Sequence, residues 1–135
     1  MNVLETEWWT MALPPEWWAD CEESSILVGD RDEVGCIEIS TLHRQEGTFE
    51  AAEVLGIATA ESIAELDWQK VRLGDFTGFA GKCVEEGAAI REWYLFNGAT
   101  LLFITYSCDE ENRGMDDAAV DQLLDTLQLT SGAGH

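Results

Sequence analysis

The strongest local signal in the sequence is a pair of apolar segments joined by a two-residue turn. Ile90–Phe96 and Thr100–Tyr106 are rich in aromatic and aliphatic residues, and Asn97-Gly98 lies between them. Asn and Gly tolerate the positive φ angles that a tight turn between antiparallel strands requires. The sequence therefore predicts a β-hairpin in the second half of the chain.

The first third of the chain also has the pattern of strands. Pro14-Pro15 ends the first of them, because proline cannot donate to a ladder of backbone hydrogen bonds. The last one alternates, with Ile37, Ile39 and Thr41 expected on one face of a sheet and the intervening residues on the other. The predicted strands are Trp8–Leu13, Trp17–Cys21, Ile26–Gly29 and Cys36–Leu42.

Two helices are predicted, one in the middle and one at the end. The first follows Gly47-Thr48, with Phe49, Ala52 and Leu55 on its buried face. The second runs from about Met115 to Leu127, with an apolar stripe of Val120, Leu123, Leu124 and Leu127. A capping-box pattern at Ser62–Glu65 predicts a further short turn. Strands are expected at Trp68–Leu73 and Lys82–Glu86, with Gly74, Gly78 and Gly81 interrupting the chain between them.

The order of these elements determines the fold class. Strands, a helix, strands and a helix follow one another, and the strands are joined by hairpins rather than by helical crossovers. The sequence thus predicts an α+β fold, a central antiparallel sheet flanked by helices. We expect a single domain over residues 1–129 and a flexible tail over residues 130–135.

Several segments resemble those of PsbP-like domains, including the bacterial DcrB-like group. The resemblance lies in the opening WTMALPPEWW, in VRLGDFTGFAGKCVEEG, in REWYLFNGATLLFITYSC and in the final AVDQLLDTLQL. It covers nearly the whole chain and implies a PsbP-like sandwich, in which helices cover a central antiparallel sheet. It also implies a protein that binds other proteins, with no shared catalytic residue to carry over.

The charge of the chain restricts its partners. Its 27 acidic and 7 basic residues give a formal net charge of -20. Nucleic acids and anionic membranes would be repelled, so neither is expected as a partner, and a basic protein is. Solubility alone is the alternative explanation. The acids concentrate in residues 16–33 and 109–125, and the sequence leaves open whether these two stretches lie side by side.

The tryptophan pairs and the second acidic stretch supply the candidate binding residues. Adjacent strand residues point to opposite faces, so Trp8-Trp9 and Trp17-Trp18 cannot all enter one core. In the last helix, aspartates recur every four residues, a spacing at which like charges repel, and a basic partner would offset that repulsion. The predicted partner-binding residues are Trp8, Trp17, Asp109, Glu110, Glu111, Asp117, Asp121 and Asp125.

No pattern in the sequence points to a catalytic or metal site. Asp30–Gly35 imitates the start of a calcium loop, but Thr41 stands where the final Glu should be. His43 is the only histidine outside the tail and is expected to face solvent. The four cysteines are too far apart for zinc-binding spacing. We therefore expect no metal, no cofactor and no enzymatic activity.

Three classes of function remain. The first is a cytoplasmic protein-binding or adaptor domain, chaperone-like or immunity-like, for a basic or hydrophobic segment of another protein. The cytoplasmic location is expected because the N-terminal residues show neither a basic start nor a long apolar run. The second class is a small-molecule-binding or enzymatic domain with an aromatic-lined pocket. The third is a self-associating structural protein, for which a homodimer is expected.

Overall fold

The computed structural model describes residues 2–23, 25–30, 34–61 and 66–130. Ten strands, two α-helices and one 3-10 turn, Glu110–Asn112, make up these residues. The helices are α1 (Ala51–Glu61) and α2 (Asp117–Leu124). The strands are β1 (Asn2–Glu5), β2 (Trp9–Leu13), β3 (Trp17–Cys21), β4 (Ile26–Asp30), β5 (Gly35–His43), β6 (Gln69–Leu73), β7 (Phe76–Glu85), β8 (Ala88–Asn97), β9 (Thr100–Asp109) and β10 (Gln128–Leu129).

The centre of the fold is a seven-stranded antiparallel sheet with the order β3-β4-β5-β9-β8-β7-β6. A second, three-stranded sheet has the order β1-β2-β10. Every pairing is antiparallel. The predicted α+β class, with a central antiparallel sheet flanked by helices, is confirmed.

The small sheet and α2 pack together on one face of the large sheet. Trp9 and Met11 from β2 are fully buried there against Trp93, Ile104 and their neighbours. The predicted stripe of the last helix is confirmed, because Val120, Leu123, Leu124 and Leu127 are all buried in the same cluster. The helix itself is shorter than predicted, and Leu127 lies beyond its end.

On the opposite face, α1 packs against β7 and β8. The predicted buried face of this helix is wrong, since Ala52 and Leu55 are exposed. The helix begins at Ala51, so Phe49 precedes it and does not follow helical spacing. Val54 and Ala58, four residues apart, form the buried stripe instead.

Gly74 lies in the turn between β6 and β7, as predicted, but the other two glycines of the middle region have a different role. Gly78 and Gly81 lie inside the continuous strand β7 and do not interrupt it. A Cβ atom at Gly78 would lie 1.9 Å from the backbone oxygen of Tyr94, so glycine permits a close approach of two strands there.

The predicted hairpin between β8 and β9 is present, with a turn shifted by one residue. Asn97 pairs with Thr100, which makes Gly98 and Ala99 the central residues of the turn. Gly98 has a φ of 58° and Ala99 does not have a positive φ. This pattern matches a type II′ turn, which needs glycine at its first central position only.

Two predicted features fall wholly or largely outside the described residues. The capping-box segment Ser62–Glu65 is one, and the central residues of the Asp30–Gly35 turn, 31–33, are the other. Thr130, the first residue of the predicted tail, donates its backbone N–H to the carbonyl of Trp8 over 3.1 Å. Residues 131–135 are not described.

Candidate partner-binding surface

Helix α1 covers only part of its face of the large sheet. The remaining part is formed by β3, β4, β5 and β9, and we call it the open face. Two rows of paired residues cross these strands. One row begins with Trp18 and Gly29 and the other with Asp20 and Leu27, and both continue into β5 and β9. The side chains of the open face are Trp18, Asp20, Leu27, Cys36, Glu38, Thr105 and Ser107.

Trp18 is the large apolar residue of the open face. The residue is 41% exposed to solvent. The indole lies over Gly29, where a Cβ atom would come within 2.5 Å of the ring. Its Nε1 donates a hydrogen bond to the carbonyl of Asp30 over 3.2 Å. The ring is therefore held in one orientation while a large part of it faces solvent.

The described side chains of the open face include two carboxylates and no Lys or Arg. Asp20 and Glu38 are both exposed in the row next to Trp18, and Ser25 donates its hydroxyl to the Glu38 carboxylate over 3.0 Å. No Lys or Arg occurs in the sequences of β3, β4, β5 or β9. An aromatic ring beside two carboxylates is a suitable environment for a cationic side chain.

Two of the four cysteines do not have the environment of reactive thiols. All four are free: Cys108 is buried, Cys21 is exposed, and Cys36 and Cys83 are half-buried. Burial, together with the charge of Glu38, raises the pKa of the Cys36 thiol. Burial and the charges of Glu92 and Glu85 raise the pKa of the Cys83 thiol. Both shifts disfavour the nucleophilic thiolate.

The structure places the two predicted tryptophans away from the open face. Trp17 is 8% exposed and belongs to the main core, so the exposed member of that pair is Trp18. Trp8 is half-buried and stacks on His43, with ring centroids 3.7 Å apart. His43 is correspondingly half-buried rather than solvent-facing, and its Nδ1 lies 3.0 Å from the Thr100 hydroxyl.

The three aspartates of α2 and its end make contacts within the fold. Arg91, on β8, lies 2.7 Å from Asp121 and 3.4 Å from Asp117, and its guanidinium also lies over the ring of Trp93. Asp125 accepts a hydrogen bond from the backbone N–H of Gly74. The repulsion expected between these aspartates is thus offset by contacts inside the chain.

The remaining predicted acids lie at the end of β9. Asp109 is the last residue of that strand and, by alternation, points to the same side as Ser107. Glu110 and Glu111 follow in the 3-10 turn and are exposed.

The two acidic stretches lie on different parts of the sheet. The first includes β3 at one edge, whereas Arg91 holds the α2 aspartates near β8, four strand positions away. At a spacing of about 4.8 Å per strand, this separation is about 19 Å. The α2 aspartates therefore lie away from the open face, whose carboxylates include Asp20 of the first stretch and Glu38, which belongs to neither stretch.

A cavity of about 450 Å³ lies beside the N-terminal end of α2. Lys82, Arg91 and Arg113 line it, which are three of the seven basic residues of the chain. Within the described ranges, Lys82 and Arg113 make no ion pair. Tyr106 and Cys108 contribute to its wall.

The described residues contain neither a cluster of metal ligands nor a membrane-spanning helix. No three His, Cys, Asp or Glu side chains come together there as a set of metal ligands. Neither helix found there is long and apolar enough to cross a membrane.

The fold is similar to that of solved structures with low sequence identity. A 1.50 Å crystal structure from Bacteroides thetaiotaomicron VPI-5482 matches 93% of this chain with a TM-score of 0.65 and 18% identity, and the chain spans 46% of that protein. LpqN, described as involved in cell envelope biogenesis of Mycobacterium tuberculosis, matches 90% of the chain and 83% of its own length with a TM-score of 0.60 and 17% identity. No protein-family model and no curated protein matches the sequence.

The solution structure of cyanobacterial PsbP (CyanoP) from Synechocystis sp. PCC 6803 is also among the matches. It covers 92% of this chain and 88% of its own length, with a TM-score of 0.48 and 11% identity. The structural similarity predicted from the sequence is confirmed at the level of the fold alone, by the Bacteroides thetaiotaomicron structure and LpqN. These likenesses carry no information on which residues act.

Proposed function

We propose that the protein is a non-catalytic protein-binding domain that receives a basic segment of a partner on its open face. The observation that carries this proposal is the exposed ring of Trp18 beside Asp20 and Glu38, on four strands that contain no cation. Tryptophan is a preferred anchor of protein interfaces, and complementary charge steers and orients a partner.

The features of the edge strand β3 favour a partner that binds to the open face over a partner that pairs with β3 as an additional strand. β3 is an edge strand of five residues, and it carries Asp20 on the open face and is flanked by Glu16 and Glu22. Short, charged edges discourage edge-to-edge pairing between chains. Self-association through β3 is therefore the less favoured alternative.

The test is the capture of partners from the native lysate by immobilised protein at low and high salt. We expect captured proteins to be basic, to be released as salt increases, and to be lost with Trp18→Ser and Glu38→Lys. Glu50→Lys serves as the charge-matched control, since Glu50 is exposed and precedes α1, outside the open face. Equal capture by all three variants would refute the proposal.

A second candidate function is the binding of a small organic anion in the cavity that Lys82, Arg91 and Arg113 line. The observation that favours it is that Lys82 and Arg113, which make no ion pair among the described residues, line the cavity together with Arg91, which is paired with Asp117 of the same wall. Titration with hexanoate, against hexylammonium as control, tests it. Hexanoate is expected to shift the amide signals of β7 and β8 and to lose affinity in Lys82→Gln; equal binding of hexylammonium excludes this function.

A further inference from the structure

A smaller cavity, of about 250 Å³, lies between α1 and the strands β5 and β9, next to the open face. Its apolar walls are Leu42, Ile57, Leu101 and Phe103, and its polar residues include Tyr94 and Glu61. A water molecule takes up about 30 Å³ of liquid, so the cavity has room for a chain of several carbon atoms.

The hydroxyl group of Tyr94 is buried, and none of the described residues is its hydrogen-bond partner. The residue is 2% exposed, and its ring is fixed by stacking on Phe103, 4.7 Å away, and by an edge contact with Trp68, 5.6 Å away. These contacts, together with the burial of the ring, fix the position of the hydroxyl oxygen. Since buried polar groups of native proteins are nearly always paired, this hydroxyl points to a ligand that supplies the missing contact.

The electrostatic surroundings of this hydroxyl indicate the charge of that ligand. Burial, with the charges of Glu92 and Glu61, raises the pKa of Tyr94 to about 12. The phenol therefore remains protonated at neutral pH, and its oxygen lies in a negative potential. A carboxylate or phosphate would be repelled from this position, whereas an ammonium group would be attracted.

We infer that this cavity binds an alkylammonium group. Its carbon chain packs along Leu42, Ile57 and Phe103, and its ammonium donates hydrogen bonds to the Tyr94 hydroxyl oxygen and to the Glu61 carboxylate. A lysine side chain has this combination of an apolar stem and a cationic end. As the source we assign a lysine of the basic partner, a step that rests on the proposed function.

Titration with n-butylammonium, followed by amide chemical shifts, tests the chemistry without a partner. We expect shifts at β5, β9 and α1 and an affinity about tenfold higher than that of n-butanol, which has the same carbon chain without the charge. Tyr94→Phe and Glu61→Gln are both expected to remove this preference. Glu50→Gln, which removes a carboxylate just before α1 and outside the cavity, should retain it.

Two outcomes would overturn the inference. Equal affinity for n-butanol and n-butylammonium means that the charge is not recognised, and shifts spread over the whole surface mean that the amine is only a counterion. Either result leaves binding at the open face untouched, so the failure of this site and the failure of the proposed function are distinguishable.

A separate experiment tests whether the ammonium group comes from a lysine side chain. A short capped peptide with one lysine is compared with the same peptide carrying norleucine, which keeps the stem and removes the charge. Cavity shifts with the lysine peptide alone support a protein source. If butylammonium shifts the cavity signals and neither peptide does, the alkylammonium site is supported and the assignment to a lysine of the partner is refuted.

Discussion

The indole of Trp18 lies across Gly29, its direct partner in the β3–β4 ladder. The absence of a side chain at position 29 creates the space in which the ring lies flat, and the hydrogen bond to the carbonyl of Asp30 fixes its direction. The side chain that we propose as the main anchor of the open face is thus positioned by its neighbours in the protein alone. Such prearrangement lowers the entropic cost of binding.

The first prediction concerns Gly29→Ala. A methyl group there would overlap the indole, so we expect the ring to be displaced and the emission of Trp18 to change, with a loss of stability of about 1–3 kcal/mol. Gly56→Ala in α1 is the control, because a Cβ atom at that position meets open space. It should raise the free energy of unfolding by up to about 1 kcal/mol, through helix propensity. Equal effects of the two substitutions would contradict the packing described.

The second prediction separates the two members of the tryptophan pair. Trp17→Ala removes a buried side chain and is expected to lower the free energy of unfolding by about 3–5 kcal/mol. Trp18→Ala should lower the free energy of unfolding by less than about 2 kcal/mol, because much of that side chain is already exposed to solvent. Chemical denaturation measures both. A larger loss for Trp18 than for Trp17 would show that the assignment of the core is wrong.

The third prediction compares the only two tyrosines of the chain. The Tyr106 hydroxyl donates a hydrogen bond to Asp116 over 2.7 Å, so Tyr106→Phe is expected to destabilise the protein by about 1–3 kcal/mol. Tyr94→Phe removes a hydroxyl for which the described part of the chain provides no hydrogen-bond partner, and it should leave stability unchanged or raise it by up to about 1 kcal/mol. Thermal or chemical unfolding of the two variants is the measurement. Destabilisation by Tyr94→Phe would indicate that its hydroxyl has a partner.

The fourth prediction concerns alkaline pH. Burial raises the pKa of Tyr94 to about 12, and burial with the Asp116 hydrogen bond also raises the pKa of Tyr106. The unfolded chain loses its phenolic protons near pH 10, before the folded state does, so stability falls as pH rises from about 10 to about 12. Tyrosinate absorbance should therefore appear in the folded protein well above pH 10. Ionisation near pH 10 with native circular dichroism would contradict this.

The fold was largely predictable because its signals are local. The alternation of Ile37 and Ile39 and the stripe of Val120 and Leu124 follow strand and helix periods, and both are buried as expected. The exposure of Ala52 and Leu55 could not be inferred in this way. Which side of α1 faces the sheet depends on where the helix begins, and an error of two residues turns the helix by more than half a turn.

The candidate site was less predictable because it depends on contacts between distant elements. Trp17 is buried and Trp18 is exposed because the small sheet and α2 cover only one face of the large sheet. A signal was nevertheless present, since Gly29 lies opposite Trp18 once β3 and β4 are paired. The role of the α2 aspartates could not be foreseen, because Arg91 is 26 residues from Asp117 in the sequence.

The most direct test of the account is a titration of a lysine-rich amphipathic peptide into three forms of the protein at moderate salt. The forms are the wild type, Glu38→Lys on the open face and Glu50→Lys before α1, which change the net charge equally. We predict that Glu38→Lys weakens binding by about tenfold or more, while Glu50→Lys has little effect. Equal weakening by both substitutions would mean that only net charge attracts the peptide, and would contradict a binding surface at Trp18 and Glu38.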